Sequence, residues 1–445
     1  MERLIKTARK SLALALALAL LAPNLAHAGD ATPPSVPGID APQLAALGDR
    51  KVGFRSVTLV NKAQPDFAAA DPATHAIPLH DRKLAVDLWY PARPKPGAPA
   101  ITYRSTLFGE PPQPPVAFTV TGLALADAEP AGGGYPLVIV SHGYSNSPAV
   151  MTWLTENLAS KGYVVAAIHH DDPDPYIISK EARAVPNFNR PVDIAFVAAT
   201  LRTSLGALID PTKVALIGYS QGGYGVLTAG GARLDPAGPN APLVAGGYLK
   251  RIARGGPDEA AGKVPGVKAI VAMAPAGGLP RSAWGPEGLR AITAPLLLIQ
   301  GSSDLTVDYK TGALALFGGA TSADRYLLTF KQAGHAIGLN PAPPEMKGSL
   351  WDQDWFADSV WRQDRVNAIN LHFITAFLAV TLKGDAGART WLDVPVENSD
   401  EGVWNAAAGT PWGAYSPGGA DVTLWKGFQR RHASALELRH AAAAK

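Results

Sequence analysis

The chain of 445 residues contains no cysteine. This absence excludes disulfide cross-links, thiol nucleophiles, thiolate metal sites and a cysteine-linked lipid anchor. Charged residues are also scarce, at 17% of the chain with a formal net charge of +3, and the Lys and Arg residues are scattered. The sequence therefore gives no indication of a nucleic-acid partner. With 47% hydrophobic residues, it predicts a globular protein that is held together by its core.

The first 28 residues resemble a targeting segment. Basic residues at the start are followed by an apolar run over 12–21 and by Ala26-His27-Ala28, which fits a cleavage site. The run is shorter than the roughly 20 residues that a transmembrane helix needs, and no later segment looks transmembrane. We expect residues 1–28 to be a signal peptide and the protein to be exported, periplasmic or secreted, with no stable membrane anchor after cleavage. An uncleaved anchoring helix is the alternative.

Beyond this segment, short apolar runs alternate with stretches of helical spacing. This alternation predicts an α/β protein with a mostly parallel central sheet and helices on both faces, over residues 49–385. Residues 29–48 are rich in Pro, Ala and Gly and are expected to be a linker. Residues 230–266 are expected to be an irregular insertion, either a lid or a surface loop. The Trp-containing extension 386–445 is expected to pack on the domain.

Two stretches near the start of this domain are predicted to pair. Residues 51–60 and 84–90 show strand patterns and are expected to lie antiparallel at an edge of the sheet. The proline-rich stretch 91–115 is expected to form loops.

One stretch, residues 213–225, carries the clearest functional pattern. An aliphatic run predicts a buried strand, which breaks at Gly218-Tyr-Ser220-Gln-Gly222 and passes into a predicted helix. A G-x-S-x-G pattern between a strand and a helix is typical of a nucleophile elbow, because the glycines allow a sharp turn that exposes the serine Oγ. Ser220 is therefore the candidate nucleophile. A glycine-rich turn without function is the alternative.

A serine hydroxyl needs an adjacent base, which is itself oriented by an acid. His335 is the candidate base because it lies in a glycine-flanked loop directly after a predicted strand. His372 lies in a predicted helix and is expected to be packed, and His432 and His440 belong to the basic C-terminal tail.

The candidate acid is Asp304. It is the first carboxylate after a predicted strand, where geometry is best fixed. Asp308 is its rival, and would otherwise cap the next helix. The oxyanion of acyl transfer also needs donors, and we predict the backbone N–H groups of Gln221 and Tyr144, the latter in the loop after the third strand of the α/β alternation.

Three other groups of residues are interpreted as structural. His169-His-Asp-Asp172 with Asp174 resembles a metal site only weakly, because adjacent residues on an irregular loop rarely face one ion. No metal and no cofactor are expected. Arg190 and Asp193 are expected to form a buried pair. The aromatic residues Trp351, Trp355 and Trp361 are expected in the core or an interface.

Together, Ser141-His-Gly-Tyr144, the elbow, Gly301-Ser-Ser-Asp304 and Gly334-His335 resemble the α/β-hydrolase superfamily. Over about residues 50–385, Val86-Asp-Leu-Trp-Tyr-Pro-Ala92 and the Arg190 motif are similar to exported dienelactone-hydrolase-like proteins related to platelet-activating-factor acetylhydrolases and bacterial polyester hydrolases.

The resemblance implies a serine carboxylesterase acting on a small-molecule or lipid-like ester without a cofactor. True dienelactone hydrolases use cysteine, so dienelactone cleavage itself is not expected of this chain. A serine peptidase or amidase on the same scaffold and a non-catalytic binding protein are the alternatives.

Overall fold

Eleven strands form a single sheet in the computed structural model, which describes residues 32–71, 73–94, 96–109, 112–173, 179–278, 282–403, 424–429 and 432–444. The predicted signal peptide, Asp174 and residues 404–423 of the predicted Trp-containing extension lie outside the described residues. The strands are β1 (Lys51–Pro65), β2 (Leu79–Ala92), β3 (Ala100–Leu107), β4 (Val116–Ala126), β5 (Tyr135–Ser141), β6 (Val164–Ile168), β7 (Ile209–Tyr219), β8 (Ala269–Met273), β9 (Leu296–Gly301), β10 (Arg325–Phe330) and β11 (Leu436–Ala441).

Six parallel strands form the centre of the sheet, in the order β10-β9-β8-β7-β5-β6. These strands read as continuous apolar runs because both faces are covered: every residue of β6, β8, β9 and β10 is buried. The core accordingly forms two layers, one on each face of the sheet. The predicted α/β-hydrolase fold class, a mostly parallel sheet flanked by helices, is confirmed.

Nine α-helices connect and flank these strands in the described part of the chain. They are α1 (Thr152–Ser160), α2 (Lys180–Ala184), α3 (Pro186–Ser204), α4 (Gln221–Ala229), α5 (Tyr248–Arg251), α6 (Gly285–Arg290), α7 (Ala315–Gly319), α8 (Leu350–Asp354) and α9 (Gln363–Lys383). Of the described helices, α9 alone has a length and composition that would suit a membrane span, but 72% of the relevant stretch is buried within the protein. It is a core helix.

The sheet continues past β6 as an antiparallel region in the order β2-β1-β4-β3. β1 and β2 pair antiparallel as predicted, but they do not form the edge, since β4 and β3 lie outside them. The prediction of loops over 91–115 is wrong for β3, which occupies 100–107. The signal that was missed lies in the partner strand β4, which pairs with β3. Along β4 the pattern has a period of two, and Phe118, Val120 and Ala124 are buried.

The segment 33–48 differs from the linker that its composition predicts. Ser35 Oγ donates a hydrogen bond of 2.6 Å to the buried Glu156, and the amide of Asn157 donates to the Ser35 and Ala45 carbonyls. Ala45 is fully buried. Polar side chains on the buried face of α1 need partners, and this segment supplies them, so it is part of the folded unit.

The described part of the C-terminal extension joins the sheet. β11 pairs antiparallel with β10 from Arg325↔Ala441 to Phe330↔Leu436 and forms the edge opposite β3. Trp425 is buried and donates its indole N–H to the Val396 carbonyl at 2.9 Å. Backbone pairing of this kind was not predicted from the Trp-containing pattern.

Candidate active site

The turn between β7 and α4 has the geometry of a strained elbow. Ser220 adopts φ 54° and ψ −115°, a conformation that side-chain-bearing residues rarely occupy. A Cβ on Gly222 would lie 1.9 Å from the Ser141 carbonyl oxygen, and one on Gly218 would lie 2.2 Å from the Gly222 oxygen. The glycines are therefore required by the close approach of backbone segments.

Three side chains from three strand ends meet at this turn. His335, after β10, has Nε2 at 3.0 Å from Ser220 Oγ and Nδ1 at 2.7 Å from Asp304 Oδ2. Asp304 follows β9, and its side chain is fully buried, whereas the His335 side chain is 20% exposed. The other carboxylate oxygen of Asp304 accepts the N–H groups of Thr306 and Val307, both at 2.9 Å. The carboxylate is thus held in one orientation toward the imidazole.

The rival acid and the three other candidate histidines make different contacts. Asp308 is half-buried and accepts the N–H of Thr311 at 2.8 Å, a turn-capping contact that lowers the pKa of Asp308. His372 is buried in α9, where burial lowers its pKa to about 3. His432 and His440 contact residues outside this site: Arg365 and Asp324.

Arg190, a fully buried residue of α3, supports the loop that follows β5. Its guanidinium donates to the carbonyls of His142 at 2.6 Å and Gly143 at 2.9 Å. In a trans peptide the C=O and N–H point in opposite directions. The Gly143–Tyr144 peptide therefore directs the Tyr144 N–H away from Arg190, and Tyr144 lines the same cavity as Ser220. Gln221, the other predicted donor, is the first residue of α4.

The same arginine forms an ion pair with Asp172, not with Asp193 as its sequence neighbourhood suggested. Both side chains are almost completely buried. Burial alone raises the pKa of Asp172, but the charge and hydrogen bonds of Arg190 outweigh it, so this pKa is lowered. Asp172 also accepts the Ser145 N–H at 2.9 Å. One Arg–Asp pair thus holds both ends of loop 142–145.

A second buried pair adjoins the first. Asp193 accepts from Arg82 at 2.9 Å and lies 3.0 Å from His170 Nδ1, whose Nε2 lies 2.9 Å from Ser141 Oγ. Burial lowers the pKa of His170 well below its ordinary value. His169 instead contacts Asp87 at 2.8 Å. Within the described ranges, no group of His, Asp or Glu side chains has an arrangement that could hold a metal ion.

Ser220 opens into a cavity of about 420 Å³. Residues 230–266 contribute nothing to its described lining; they form irregular turns and the short helix α5, so the lid alternative finds no support there. Trp351 and Trp355, expected in the core or an interface, line the cavity. Its lining comprises Phe108, Gly143, Tyr144, Asn146, Tyr219, Ser220, Thr306, His335, Ala336, Trp351, Asp354 and Trp355.

Sequence reasoning missed two contributions to this site. The support that Arg190 gives to the loop depends on contacts with residues 47 to 49 positions away. The sequence pattern of its own helix therefore does not indicate this role. The spacing of Trp351 and Trp355 places both on one face of a helix, but the direction of that face depends on packing. Phe108, at the end of a missed strand, completes the aromatic wall.

The sheet topology and the strand–elbow–helix turn are those of the α/β-hydrolase fold that the motifs predict. Residues 127–252 match a family model described as PETase, PET hydrolase-like. That segment holds Tyr144, Arg190 and Ser220 and ends before Asp304 and His335.

Comparison with individual proteins gives a similar result over a limited span. The chain is 32% identical to "Cutinase est1" of Thermobifida alba over 101 residues, 23% of this chain and 32% of that protein. It is 32% identical to "Cutinase 1" of Thermobifida cellulosilytica over 105 residues, 23% and 36% of the two chains. It therefore spans about a third of the length of the curated relatives it matches.

Among solved structures, a ferulic acid esterase from Streptomyces cinnamoneus is similar with a TM-score of 0.46 and 21% identity, over 77% of this chain and 94% of that chain.

Proposed function

We propose that this protein is an exported serine carboxylesterase that cleaves small-molecule or lipid-like esters through an acyl-enzyme. The observation that carries the proposal is the unbroken contact from Ser220 through His335 to Asp304 at the mouth of a largely apolar cavity. A nucleophile, a base and an orienting acid in this arrangement suit acyl transfer.

In the first half-reaction, Ser220 Oγ attacks the ester carbonyl while His335 Nε2 takes the hydroxyl proton. Asp304 keeps the imidazole in the tautomer with Nδ1–H toward the carboxylate and stabilises the imidazolium that forms. His335 then gives the proton to the departing alcohol, and the acyl group remains on Ser220. In the second half-reaction, water attacks the acyl-enzyme with the same histidine as base, releasing the acid.

The tetrahedral intermediate needs donors for its oxyanion. We assign this role to the backbone N–H groups of Tyr144 and Gln221. The orientation of the Gly143–Tyr144 peptide by Arg190 supports the first, and the position of Gln221 at the start of α4, where N–H groups lack intrahelical acceptors, supports the second.

Two further observations support parts of this proposal. The relatives that the chain matches are named cutinases, and the family model that spans the elbow is named for a polyester hydrolase, which favours ester over amide bonds. Export rests on the pattern of residues 1–28.

The test compares hydrolysis of p-nitrophenyl butyrate with that of an aminoacyl p-nitroanilide. We expect turnover of the ester and loss of at least about 10³-fold in kcat on Ser220→Ala or His335→Ala.

Asp304→Asn and Asp308→Asn form a matched pair, because both remove one carboxylate from the same loop. Only the first should lower kcat strongly. Preferential cleavage of the anilide would favour a peptidase, and equal effects of the two Asn variants would contradict the assignment of Asp304.

A further inference from the structure

The wall of the cavity beside Ser220 is aromatic. Trp351 of α8 and Trp355, which directly follows this helix, have ring centroids 6.4 Å apart at an interplanar angle of 75°. Phe108 contacts Trp355 with a centroid distance of 4.6 Å and an angle of 88°. Perpendicular neighbours present ring faces as well as edges to the space between them. Trp351 remains 41% exposed despite its size, so a substantial part of its ring is available to a ligand.

One carboxylate lies in the same wall and has no counterion among the residues that the structure describes. Asp354, at the end of α8, is exposed and lines the cavity. It has no ion pair within 4.0 Å among the described residues, and the described lining of this cavity includes no Lys or Arg. The other acids near the site differ: Asp304 is engaged by His335, and Asp358 accepts three backbone N–H groups.

From this combination we infer that the cavity accepts esters that carry a cationic ammonium group, with Trp351, Trp355 and Asp354 forming the cation subsite. The inference rests on the proposed esterase function of the same site. A quaternary ammonium is attracted to the negative face of an indole within about 6 Å of its centroid. A nearby carboxylate adds charge attraction without removing the cation's methyl groups from the apolar wall.

Other substrate chemistries fit the wall less well. An anionic group would be repelled by Asp354 and would find no Lys or Arg side chain in the described lining. A neutral aliphatic group would gain the apolar contact with the rings, but nothing from the carboxylate. The charge of the substrate, at constant shape, is therefore the property that the subsite discriminates.

The experiment uses two esters of the same shape, butyrylcholine and 3,3-dimethylbutyl butyrate, which differ in having a quaternary nitrogen or a carbon at one position. We expect kcat/KM for the cationic ester to exceed that of the neutral ester by roughly fivefold or more, the effect of an exposed cation–π contact plus a screened charge pair. Choline and 3,3-dimethylbutan-1-ol, tested as competitive inhibitors of p-nitrophenyl butyrate hydrolysis, report on the subsite whichever half of the substrate carries the cation.

Two variants locate the preference. Asp354→Asn removes the charge with little change in shape, and Trp351→Leu removes the ring face but keeps an apolar side chain. Each variant should lower toward 1 the ratio of kcat/KM for the cationic ester to kcat/KM for the neutral ester. Each should also lower toward 1 the preference for choline over 3,3-dimethylbutan-1-ol as an inhibitor. Asp49→Asn is the matched control because it makes the same change in net charge. The Asp49 side chain is 87% exposed and is not among the described cavity-lining residues. This control should show the same preferences for the cationic ester and for choline as the native protein.

The outcomes separate this inference from the proposed function. If native protein hydrolyses p-nitrophenyl butyrate but shows neither an ester nor an inhibitor preference for the cation, the subsite is refuted and the esterase stands. A preference that survives Asp354→Asn and Trp351→Leu likewise refutes it. If no ester is cleaved and Ser220 does not react with a fluorophosphonate, the esterase proposal itself fails.

Discussion

Arg190 offers the sharpest perturbation of the oxyanion loop, through the substitution Arg190→Lys. The guanidinium contacts Asp172, the Ser141 hydroxyl at 3.0 Å and the carbonyls of His142 and Gly143. A lysine keeps the positive charge beside Asp172, but its single ammonium cannot reproduce a planar fork that contacts all of these groups. We expect the Gly143–Tyr144 peptide to lose its fixed orientation.

The size of the effect follows from what is lost. Removing one oxyanion donor costs about 10²- to 10³-fold in kcat, and a misaligned donor should cost part of this, so we expect kcat to fall by roughly 30- to 100-fold with little change in KM. One or two hydrogen bonds between charged groups and their partners are also lost, at about 1.5–3 kcal/mol each. This is a large part of a typical free energy of unfolding of about 5–15 kcal/mol.

The control is Arg82→Lys, which makes the same change in the adjoining buried pair with Asp193. Arg82 contacts Asp193 and the His170 carbonyl rather than the loop carbonyls. Urea unfolding, p-nitrophenyl butyrate kinetics and affinity for a trifluoromethyl ketone, which mimics the tetrahedral intermediate, should be measured for both variants. Both should lose stability, but only Arg190→Lys should lose kcat and analogue affinity in parallel.

Two results would refute this reasoning. Unchanged kcat in a folded Arg190→Lys protein would show that the loop holds its conformation without the fork. Equal losses of kcat in both variants, with unchanged analogue affinity, would indicate a general effect of destabilisation.

Three further changes test other parts of the structure. Glu156→Ala removes the acceptor of Ser35 Oγ and of the Tyr103 hydroxyl at 2.7 Å, leaving buried donors unpaired, and should lower the free energy of unfolding by about 3 kcal/mol or more in urea titrations. Gly222→Ala forces a Cβ against the Ser141 carbonyl and should abolish ester turnover, whereas Gly318→Ala, where a Cβ meets nothing within 4 Å, should not. Burial and Lys383 lower the pKa of Lys161 to about 7. The unfolded side chain keeps its proton to about pH 10.4, so above pH ~7 the unfolded chain binds more protons and the free energy of unfolding should rise with pH, by up to about 1.4 kcal/mol per unit. Lys161→Met should reduce this slope. An identical slope in both proteins would contradict a lowered pKa of Lys161 in the folded protein.

Local patterns account for what the sequence predicted well. The strand, glycines and helix of the elbow are neighbours along the chain, so their pattern is visible without tertiary information. His335 and Asp304 could be chosen because parallel strands bring the residues after their carboxyl ends to one rim of the sheet, and the structure places both within hydrogen-bond distance in the chain Ser220–His335–Asp304.

Features that depend on distant contacts were not predictable in the same way. The burial of segment 33–48 depends on Glu156 and Asn157, more than 100 residues away. β11 gains its place by pairing with β10, which ends more than 100 residues before it. The prolines around β3 dominated its local pattern, although its partner β4 alternates clearly. Trp351 and Trp355 have a helical spacing, but only tertiary packing places them in the same cavity as Ser220.

The most direct measurement of the central proposal is intact-protein and peptide mass spectrometry after reaction with a fluorophosphonate. We expect one adduct per chain, located on the peptide that contains Ser220, with a rate that falls by about 10³-fold or more in His335→Ala because the base is gone. An unmodified native protein, or an adduct on another residue that forms equally fast in Ser220→Ala, would contradict the assignment of Ser220 as an activated nucleophile.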